Sequence, residues 1–188
     1  NNKNIKSIPL LGWQIPILTD SNYEKSKILN INNKNILNYF DTNDVIVLAG
    51  FQGVNTEGKI TSLGRGGSDT TAVAIAASLK AKRCDIYTDV DGVYTTDPNV
   101  ESKAKKIHRV TYEEMLEMSS TGAKVLQTRS VELAMKNNLT LQVLSSLTNK
   151  EGTYIVNENA LIEKEIVSGV SYSKNESKIS ISGIPDKP

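Results

Sequence analysis

A glycine-rich segment carries the clearest chemical signal in this sequence. Residues 64–71 are Gly-Arg-Gly-Gly-Ser-Asp-Thr-Thr, and an alanine-rich apolar stretch follows at once. Gly66 and Gly67 allow a sharp turn and a close approach of the backbone to a ligand, and the first amide groups of the next helix carry positive partial charge. Arg65 adds a guanidinium group that suits a carboxylate or a phosphate. The segment therefore predicts a site for a small acidic molecule.

The same segment also has a purely structural interpretation. Glycines before an alanine-rich helix occur where a strand turns into a tightly packed helix, and Ser68 or Asp69 is expected to cap that helix. The spacing matches neither a Walker A loop nor the Rossmann fingerprint. If the segment binds an anion, it is a different kind of anion site.

Three aspartates and a tyrosine lie in residues 88–98, directly after a predicted strand. Asp89, Asp91 and Asp97 can accept hydrogen bonds from ribose hydroxyls, bind hydrated Mg2+ or cap turns, and Tyr94 offers a face for a base. Ligands of open α/β sheets bind beyond the carboxyl ends of the strands, so this segment is expected in the same crevice as the glycine-rich turn. The predicted ligand is a nucleotide, and the alternative is a solvated Asp-Gly turn.

Lys124 stands at a predicted helix start. It follows Gly122 and Ala123 and precedes residues 125–136, whose apolar spacing predicts a helix. Backbone amides and a cationic side chain could both face a polyphosphate there. The alternative is an ordinary solvated lysine.

The order of predicted elements indicates an α/β fold. Residues 45–49 are a continuous apolar run, which predicts a strand buried on both faces. Further elements are strands over 84–88 and 141–144, helices over 68–81 and 112–118, and a hairpin turn at 55–59. The order strand, crossover helix, strand predicts a three-layer α/β/α sandwich with a mainly parallel sheet.

Composition and charge restrict the partners. The 188 residues include 22 basic and 21 acidic side chains, a formal net charge of +1, so no bulk attraction to nucleic acid or to an anionic membrane is expected. No apolar run of about 18 residues and no secretory signal is found, which predicts a cytoplasmic protein. Cys84 is predicted to be a buried strand thiol, and with His108 as the single histidine no zinc site or catalytic triad is predicted.

The composition changes from Glu151 onward, and a polar joint at Asn157, Glu158 and Asn159 predicts a domain boundary. Residues 1–157 are assigned to the larger domain, and 158–188 to a joint and the start of a smaller one. Within the latter, 166–172 and 178–181 alternate like strands. Because two strands do not form a domain core, we expect the second domain to be truncated, and the first to be incomplete as well.

Five segments together resemble the aspartate kinase branch of the amino acid kinase family, in the family's order and spacing over almost the whole chain. They are Gly12-Trp13-Gln14 and residues 49–53, 63–74, 87–98 and 112–126. The form Arg-Gly-Gly-Ser-Asp-Thr-Thr-Ala is specific to the aspartate branch. The form Asp-Val-Asp-Gly-Val-Tyr is shared with uridylate kinases and glutamate 5-kinases.

This resemblance implies an incomplete amino acid kinase fold followed by the first strands of an ACT-like α+β domain. The implied activity transfers the γ-phosphoryl group of ATP to the β-carboxylate of L-aspartate, with ATP and Mg2+ as cofactors. The product, 4-phospho-L-aspartate, starts lysine, threonine and methionine biosynthesis. Paired ACT domains would form a homodimer and bind an end-product amino acid.

Residue roles follow from the same resemblance. Arg65 would hold the α-carboxylate of aspartate, with Gly66, Gly67 and Ser68 lining the substrate site, and Asp69 would organise the charges around the transferred phosphoryl group. Lys124 would stabilise the ATP phosphates, and no residue is implied as a resident metal ligand. The nucleotide pocket would be formed by Thr88, Asp89, Tyr94, Asp97, Lys124 and Val125.

The sequence departs from the family at three places. The family's N-terminal phosphate loop is absent, Gln127-Thr128 replaces the usual His-Pro, and Asn99 stands where arginine is frequent. We therefore expect the 188 residues to have little activity alone. The alternatives are a non-catalytic regulatory or assembly fragment and another amino acid kinase such as glutamate 5-kinase.

Overall fold

The structure, a computed structural model, describes residues 4–121, 125–160 and 169–172. Its strands are Ser7–Leu10 (β1), Ile17–Thr19 (β2), Ile28–Ile31 (β3), Val45–Leu48 (β4), Gln52–Val54 (β5), Ile60–Ser62 (β6), Cys84–Thr88 (β7), Arg109–Thr111 (β8), Leu141–Ser145 (β9) and Thr153–Val156 (β10). Its helices are Asn33–Phe40 (α1), Gly67–Ser78 (α2), Tyr112–Ser120 (α3) and Thr128–Lys136 (α4), with a 3-10 turn at Glu158–Ala160. None of the helices in these ranges is long and apolar enough to cross a membrane.

The larger core lies on a four-stranded sheet of order β7-β9-β10-β8. Strand β9 runs parallel to β7 and antiparallel to β10, and β10 runs parallel to β8. Ile86, Val143 and Ile155 point from this sheet into the core, where α2, α3 and α4 pack. Cys84 is buried in the same core, as predicted, and desolvation raises the pKa of its thiol to about 11.

A second four-stranded sheet, of order β3-β2-β5-β6, carries the predicted hairpin. Strands β5 and β6 are antiparallel, from Gln52 opposite Ser62 to Val54 opposite Ile60. Between them Gly58 has a φ of +77°, which glycine adopts readily. The hairpin prediction is thus confirmed, and the glycine-rich segment leaves from the end of β6.

Strand β4 exists as predicted, but its burial on both faces is wrong. Val45 and Val47 are 41% and 58% exposed. The strand pairs only with β1, in a two-stranded parallel sheet, and one face packs against a small cluster around Leu10 and Ile36. Because no element of the described ranges covers the opposite face, alternate side chains stay exposed.

Hydrogen bonding divides the strands differently from the predicted single sheet. Strands β4 and β7, joined through α2, belong to different sheets. Four of the seven strand pairings described are parallel, so the chain has a mixed α/β fold with slightly more parallel than antiparallel pairs. The sequence did not predict β1 to β3, β8, β10 or α1.

Part of the predicted second domain can be compared with the structure. Residues 169–172, from the predicted strand over 166–172, form no strand. Instead the Val170 amide donates a single hydrogen bond of 2.7 Å to the carbonyl oxygen of Thr95. The rest of that segment and the predicted strand over 178–181 lie outside the described residues.

Candidate functional site

The glycine-rich turn joins β6 to α2. Gly64 and Gly66 have φ angles of +75° and +70°, in the left-handed region that favours glycine. The prediction that Ser68 or Asp69 caps the helix is wrong, because Gly66 is the N-cap and α2 already begins at Gly67. Within the described ranges no side chain caps this helix, so its start can bind an anion.

Neighbouring side chains explain why glycine is needed at two of these positions. A Cβ atom on Gly66 would lie 2.0 Å from Cγ of Gln127, and one on Gly67 would lie 2.9 Å from Cδ2 of Phe51. Phe51 has a φ of +74°, and its amide donates to Oγ1 of Thr71 at 3.0 Å. The turn is therefore enclosed by Gln127 on one side and by Phe51 on the other.

Arg65 and Asp69 give the turn its charge. Arg65 is exposed and Asp69 is half-buried. Desolvation raises the pKa of Asp69 above its ordinary value, while hydrogen bonds from the Ser68 hydroxyl and from the backbone of Gln127 oppose the rise. An exposed guanidinium group beside an open helix start and a partly desolvated carboxylate can orient a small ligand that carries both charges.

A cavity of about 1020 Å3 lies beyond the carboxyl end of β7. Its size suits a small-molecule or cofactor site. Other walls come from Met118 of α3, from the end of β9, and from residues 170–172. The predicted nucleotide residues that line it are Thr88, Asp89, Tyr94, Asp97 and Val125.

Asp91 holds the tyrosine of this cavity in place. The Tyr94 hydroxyl donates to Oδ1 of Asp91 at 2.9 Å, and Nζ of Lys106 lies 3.5 Å from Oδ2. The Tyr94 hydrogen bond has the largest effect and lowers the pKa of Asp91; burial opposes it, and the Lys106 charge adds a smaller lowering effect. Lys106 also donates to the carbonyl oxygen of Glu151 at 2.7 Å. Asp91 therefore fixes the position of Tyr94, and its predicted contacts with a ribose or with Mg2+ stay a prediction.

Thr153, at the start of β10, anchors the same loop from the protein interior. Its fully buried Oγ1 accepts from the Val93 amide at 2.8 Å and donates to the Ile107 carbonyl oxygen at 2.5 Å. Gly92 has a φ of +147°, and a Cβ atom there would lie 2.7 Å from that hydroxyl. The loop is therefore tied to β10 by a side chain 60 residues away.

Asp97 caps a turn at the far end of the cavity. Its Oδ1 accepts from the backbone amide and from the side-chain amide of Asn99, at 2.8 and 3.1 Å. Asp89, by contrast, is exposed and accepts from the Thr88 hydroxyl at 3.0 Å. Among the residues that the structure describes, no three acidic, histidine or cysteine side chains gather as a metal site.

Residues 125–127 connect the glycine-rich turn to the cavity. Val125 lines the cavity, whereas Gln127 packs on Gly66 and donates a backbone hydrogen bond to Asp69. Residues 65–69 do not line the cavity itself, so the two predicted sites are neighbours and not one crevice.

The prediction that α4 begins near residue 125 is wrong, because Gln127 is its N-cap. Thr128 then takes the first helical position, where the family's proline would also fit, so this departure is compatible with the same helix start. Lys124 lies outside the described residues.

Sequence reasoning missed four residues of these sites: Phe51, Lys106, Gln127 and Thr153. Each acts through a contact with a residue distant in the sequence. Phe51 stood out only as part of the family-like segment 49–53 and Gln127 only as a departure from the family, and neither was predicted to make these contacts.

Comparison with known proteins gives two kinds of result, and the first comes from sequence. A profile of the amino acid kinase family matches residues 1–145. Aspartate kinase of Pseudomonas fluorescens (strain SBW25) is 50% identical over 189 residues, covering 100% of this chain and 46% of that protein. Aspartokinase of Helicobacter pylori (strain ATCC 700392 / 26695) is 48% identical over 187 residues, covering 97% of this chain and 46% of that protein. The chain thus spans about half the length of the curated relatives that it matches.

Solved structures show the same fold. E. coli aspartokinase III in complex with aspartate and ADP aligns with a TM-score of 0.75 and 33% identity, over 82% of this chain and 36% of that one. Aspartate kinase from Synechocystis aligns with a TM-score of 0.70 and 40% identity, over 83% of this chain and 25% of that one. The predicted α/β fold class is confirmed.

Proposed function

Because this chain belongs to the amino acid kinase family, we propose that it carries acceptor and nucleotide sites of an aspartate kinase, which transfers the γ-phosphoryl group of ATP to the β-carboxylate of L-aspartate. The observation that carries the proposal is the segment 125–127, which contacts the cavity through Val125 and the glycine-rich turn through Gln127. This segment places the turn and the cavity next to each other, and transfer between two ligands requires that their reacting groups be held close together. The identity with aspartate kinases supports aspartate as the acceptor.

The acceptor is proposed to bind at the glycine-rich turn. The exposed guanidinium of Arg65 can pair with the α-carboxylate through two parallel hydrogen bonds. Gly66, Gly67 and Ser68 line the site, where the uncapped start of α2 offers backbone donors. Asp69 orients the charged groups from its partly desolvated position.

The phosphoryl donor is proposed to occupy the cavity. Tyr94, fixed by Asp91, would lie against the base, and Thr88, Asp89 and Asp97 would accept hydrogen bonds from the sugar or its neighbours. Lys124, next to Val125, is proposed to neutralise charge on the phosphates. Phosphoryl transfer depends on such positioning and charge neutralisation more than on a strong base.

Mg2+ is proposed to enter with the nucleotide. The described residues gather no cluster that would hold a metal by itself, and Mg2+ is commonly held by phosphates with only one or two carboxylates. Asp69 belongs to the glycine-rich segment, and Asp89 lines the cavity, so each proposed ligand would have a carboxylate near it. When bound, the ion would neutralise charge on the phosphate oxygens.

Residues 158–188 are proposed as the joint and the first part of an ACT domain, after a kinase domain that spans 1–157. With it we propose a homodimer built through ACT domains and an end-product amino acid as effector, at a cytoplasmic location where ATP is available. A related aspartokinase III structure contains lysine and aspartate, which supports an amino acid effector.

Calorimetric titration of the chain tests the proposal. We expect MgADP and L-aspartate each to bind, aspartate more tightly than L-glutamate. Preference for glutamate would favour a glutamate kinase. Binding of lysine or threonine without any response to MgADP or aspartate would favour the regulatory alternative.

A further inference from the structure

Arg129, in the first turn of α4, makes two long-range hydrogen bonds. One guanidinium nitrogen donates to the carbonyl oxygen of Leu63 at 2.9 Å, and the other donates to that of Ser26 at 2.8 Å. Both acceptor residues are fully buried. A single side chain of α4 therefore joins two segments that lie 66 and 103 residues away in the sequence.

Leu63 is the residue from which the glycine-rich turn departs. Its amide donates to the Phe51 carbonyl oxygen at 3.0 Å, and its own carbonyl oxygen is held by Arg129, so its peptide groups are fixed on both sides. The loop containing Ser26 also borders the turn, because a Cβ atom on Gly64 would lie 3.1 Å from the carbonyl oxygen of Glu24. The Arg129 guanidinium thus fixes the entrance of the turn.

The turn needs such an anchor because its own residues constrain it weakly. Glycines have wide conformational freedom, and α2 begins without a side-chain cap. The same end of α4 supplies Gln127, which packs on Gly66 and hydrogen-bonds to Asp69. Arg129 holds Leu63 before the turn, and Gln127 contacts Gly66 and Asp69 within it.

We propose that Arg129 is a positioning residue for the acceptor site: it orients the turn that carries Arg65 without touching the substrate. A guanidinium group has a planar fork of donors that can reach two carbonyl oxygens at once, whereas a lysine ammonium is a compact charge on a flexible stem. The link to the acceptor rests on the proposed function, but the anchoring of the turn does not.

Amide hydrogen exchange in the whole chain tests the anchoring directly. In Arg129→Lys, exchange of the Gly67 and Thr70 amides, which donate to Gly64 and Gly66, should accelerate about tenfold, the change expected for losing one charge-assisted hydrogen bond. Amides of β9 should keep their rates. The control is Arg109→Lys, because Arg109 is an exposed arginine on β8, an edge strand of the core sheet, and belongs neither to α4 nor to the glycine-rich turn.

Unchanged exchange at the turn, or equal acceleration throughout the chain, would overturn the proposal. If Arg129→Lys does not fold, the side-chain NMR spectrum of the unmodified chain decides. Hydrogen-bonded guanidinium protons of Arg129 should be resolved and slow to exchange, and averaged signals like those of a solvated arginine would refute the anchor.

Ligand binding then separates this proposal from the proposed function. In Arg129→Lys, affinity for L-aspartate should fall about tenfold while affinity for MgADP is kept. If the unmodified chain does not bind aspartate, the proposed function fails while the exchange result still decides the anchoring. Equal losses for both ligands would contradict a role confined to the turn.

Discussion

The glycine-rich turn and the loop from Asp91 to Tyr94 are held in opposite ways. The turn takes its shape from missing side chains, with glycines at φ +75° and +70° and neighbours filling the space. The loop from Asp91 to Tyr94 takes its shape from added side chains, since Asp91, Lys106 and Thr153 tie it down. The turn built on glycine leaves the start of α2 without a side-chain cap, whereas the tied loop presents a fixed wall.

The largest expected effect breaks the turn. Gly66→Ala places a Cβ atom 2.0 Å from Gln127 at a φ of +70°, and the free energy of unfolding should fall by about 3 kcal/mol, combining backbone strain and overpacking. Gly58→Ala is the matched control, because its φ is +77° with no atom within 4 Å. It should cost only about 1 kcal/mol, from the left-handed backbone alone. Urea denaturation measures both, and equal losses would show that the Gln127 contact is unimportant.

A smaller effect is expected when the loop loses its interior anchor. Thr153→Val keeps the shape of the side chain but leaves the buried Val93 amide unpaired, which should cost about 2 kcal/mol of unfolding free energy. Exposed Thr56→Val serves as the control and should change it little. MgADP affinity should fall in the first variant only. An unaffected affinity would mean that the loop keeps its shape without β10.

The motifs of both regions could be predicted from the sequence, but the distant contacts that hold the loop from Asp91 to Tyr94 could not. Glycines, Arg65 and Asp69 are adjacent in the chain, so their chemistry was visible as a motif, and the element order around them was predicted correctly. The predicted helix cap at Ser68 or Asp69 was wrong, because Gly66 takes a left-handed conformation and α2 begins at Gly67, before either residue. Residues 88–98 were visible as a motif as well, but their supports at 106 and 153 were not, because packing brings them together.

The predicted burial of β4 on both faces was wrong for a related reason. An apolar run predicts a strand, yet its burial depends on what covers each face, and β4 has a covered face and an open one. The apolar spacing also predicted the start of α4 too early. Residues 125–127 fit the helical pattern, but they precede α4 and connect the cavity to the glycine-rich turn.

Loss of the hydrogen bond between the Tyr94 hydroxyl and Asp91 should have a modest effect on the free energy of unfolding. Tyr94→Phe and Asp91→Ala each remove the hydrogen bond between these residues, and a double-mutant cycle should give a coupling free energy of about 1 kcal/mol. Urea denaturation of the four proteins measures this coupling. Additive losses would show that the bond contributes nothing.

The smallest effects concern pH, and they have opposite signs in the two regions. Asp91 has a lowered pKa, so its stabilising contribution is present above its ordinary value of 3.8 and is lost as the pH falls through the folded-state pKa. Asp91→Asn should therefore be destabilising at neutral pH, and the difference should shrink on acidification.

Asp69 has a raised pKa, so the folded state holds its proton above 3.8 and stability falls as the pH rises through that window. Asp69→Asn should therefore gain stability relative to the unmodified chain above the window and not below it. Thermal unfolding from pH 3 to pH 7 measures both variants, over a range about the ordinary carboxyl values. Stability changes of the same sign in Asp91→Asn and Asp69→Asn at neutral pH would contradict the opposite pKa shifts of the two carboxyl groups.

The division into two neighbouring sites is tested most directly by calorimetric titration of Arg65→Ala and Tyr94→Ala with L-aspartate and with MgADP. We predict a crossed pattern: Arg65→Ala loses at least about tenfold in aspartate affinity and keeps MgADP binding, as expected for removal of a charge-assisted pair. Tyr94→Ala should show the reverse. Parallel losses of both ligands in both variants would contradict the presence of two separate sites joined at residues 125–127.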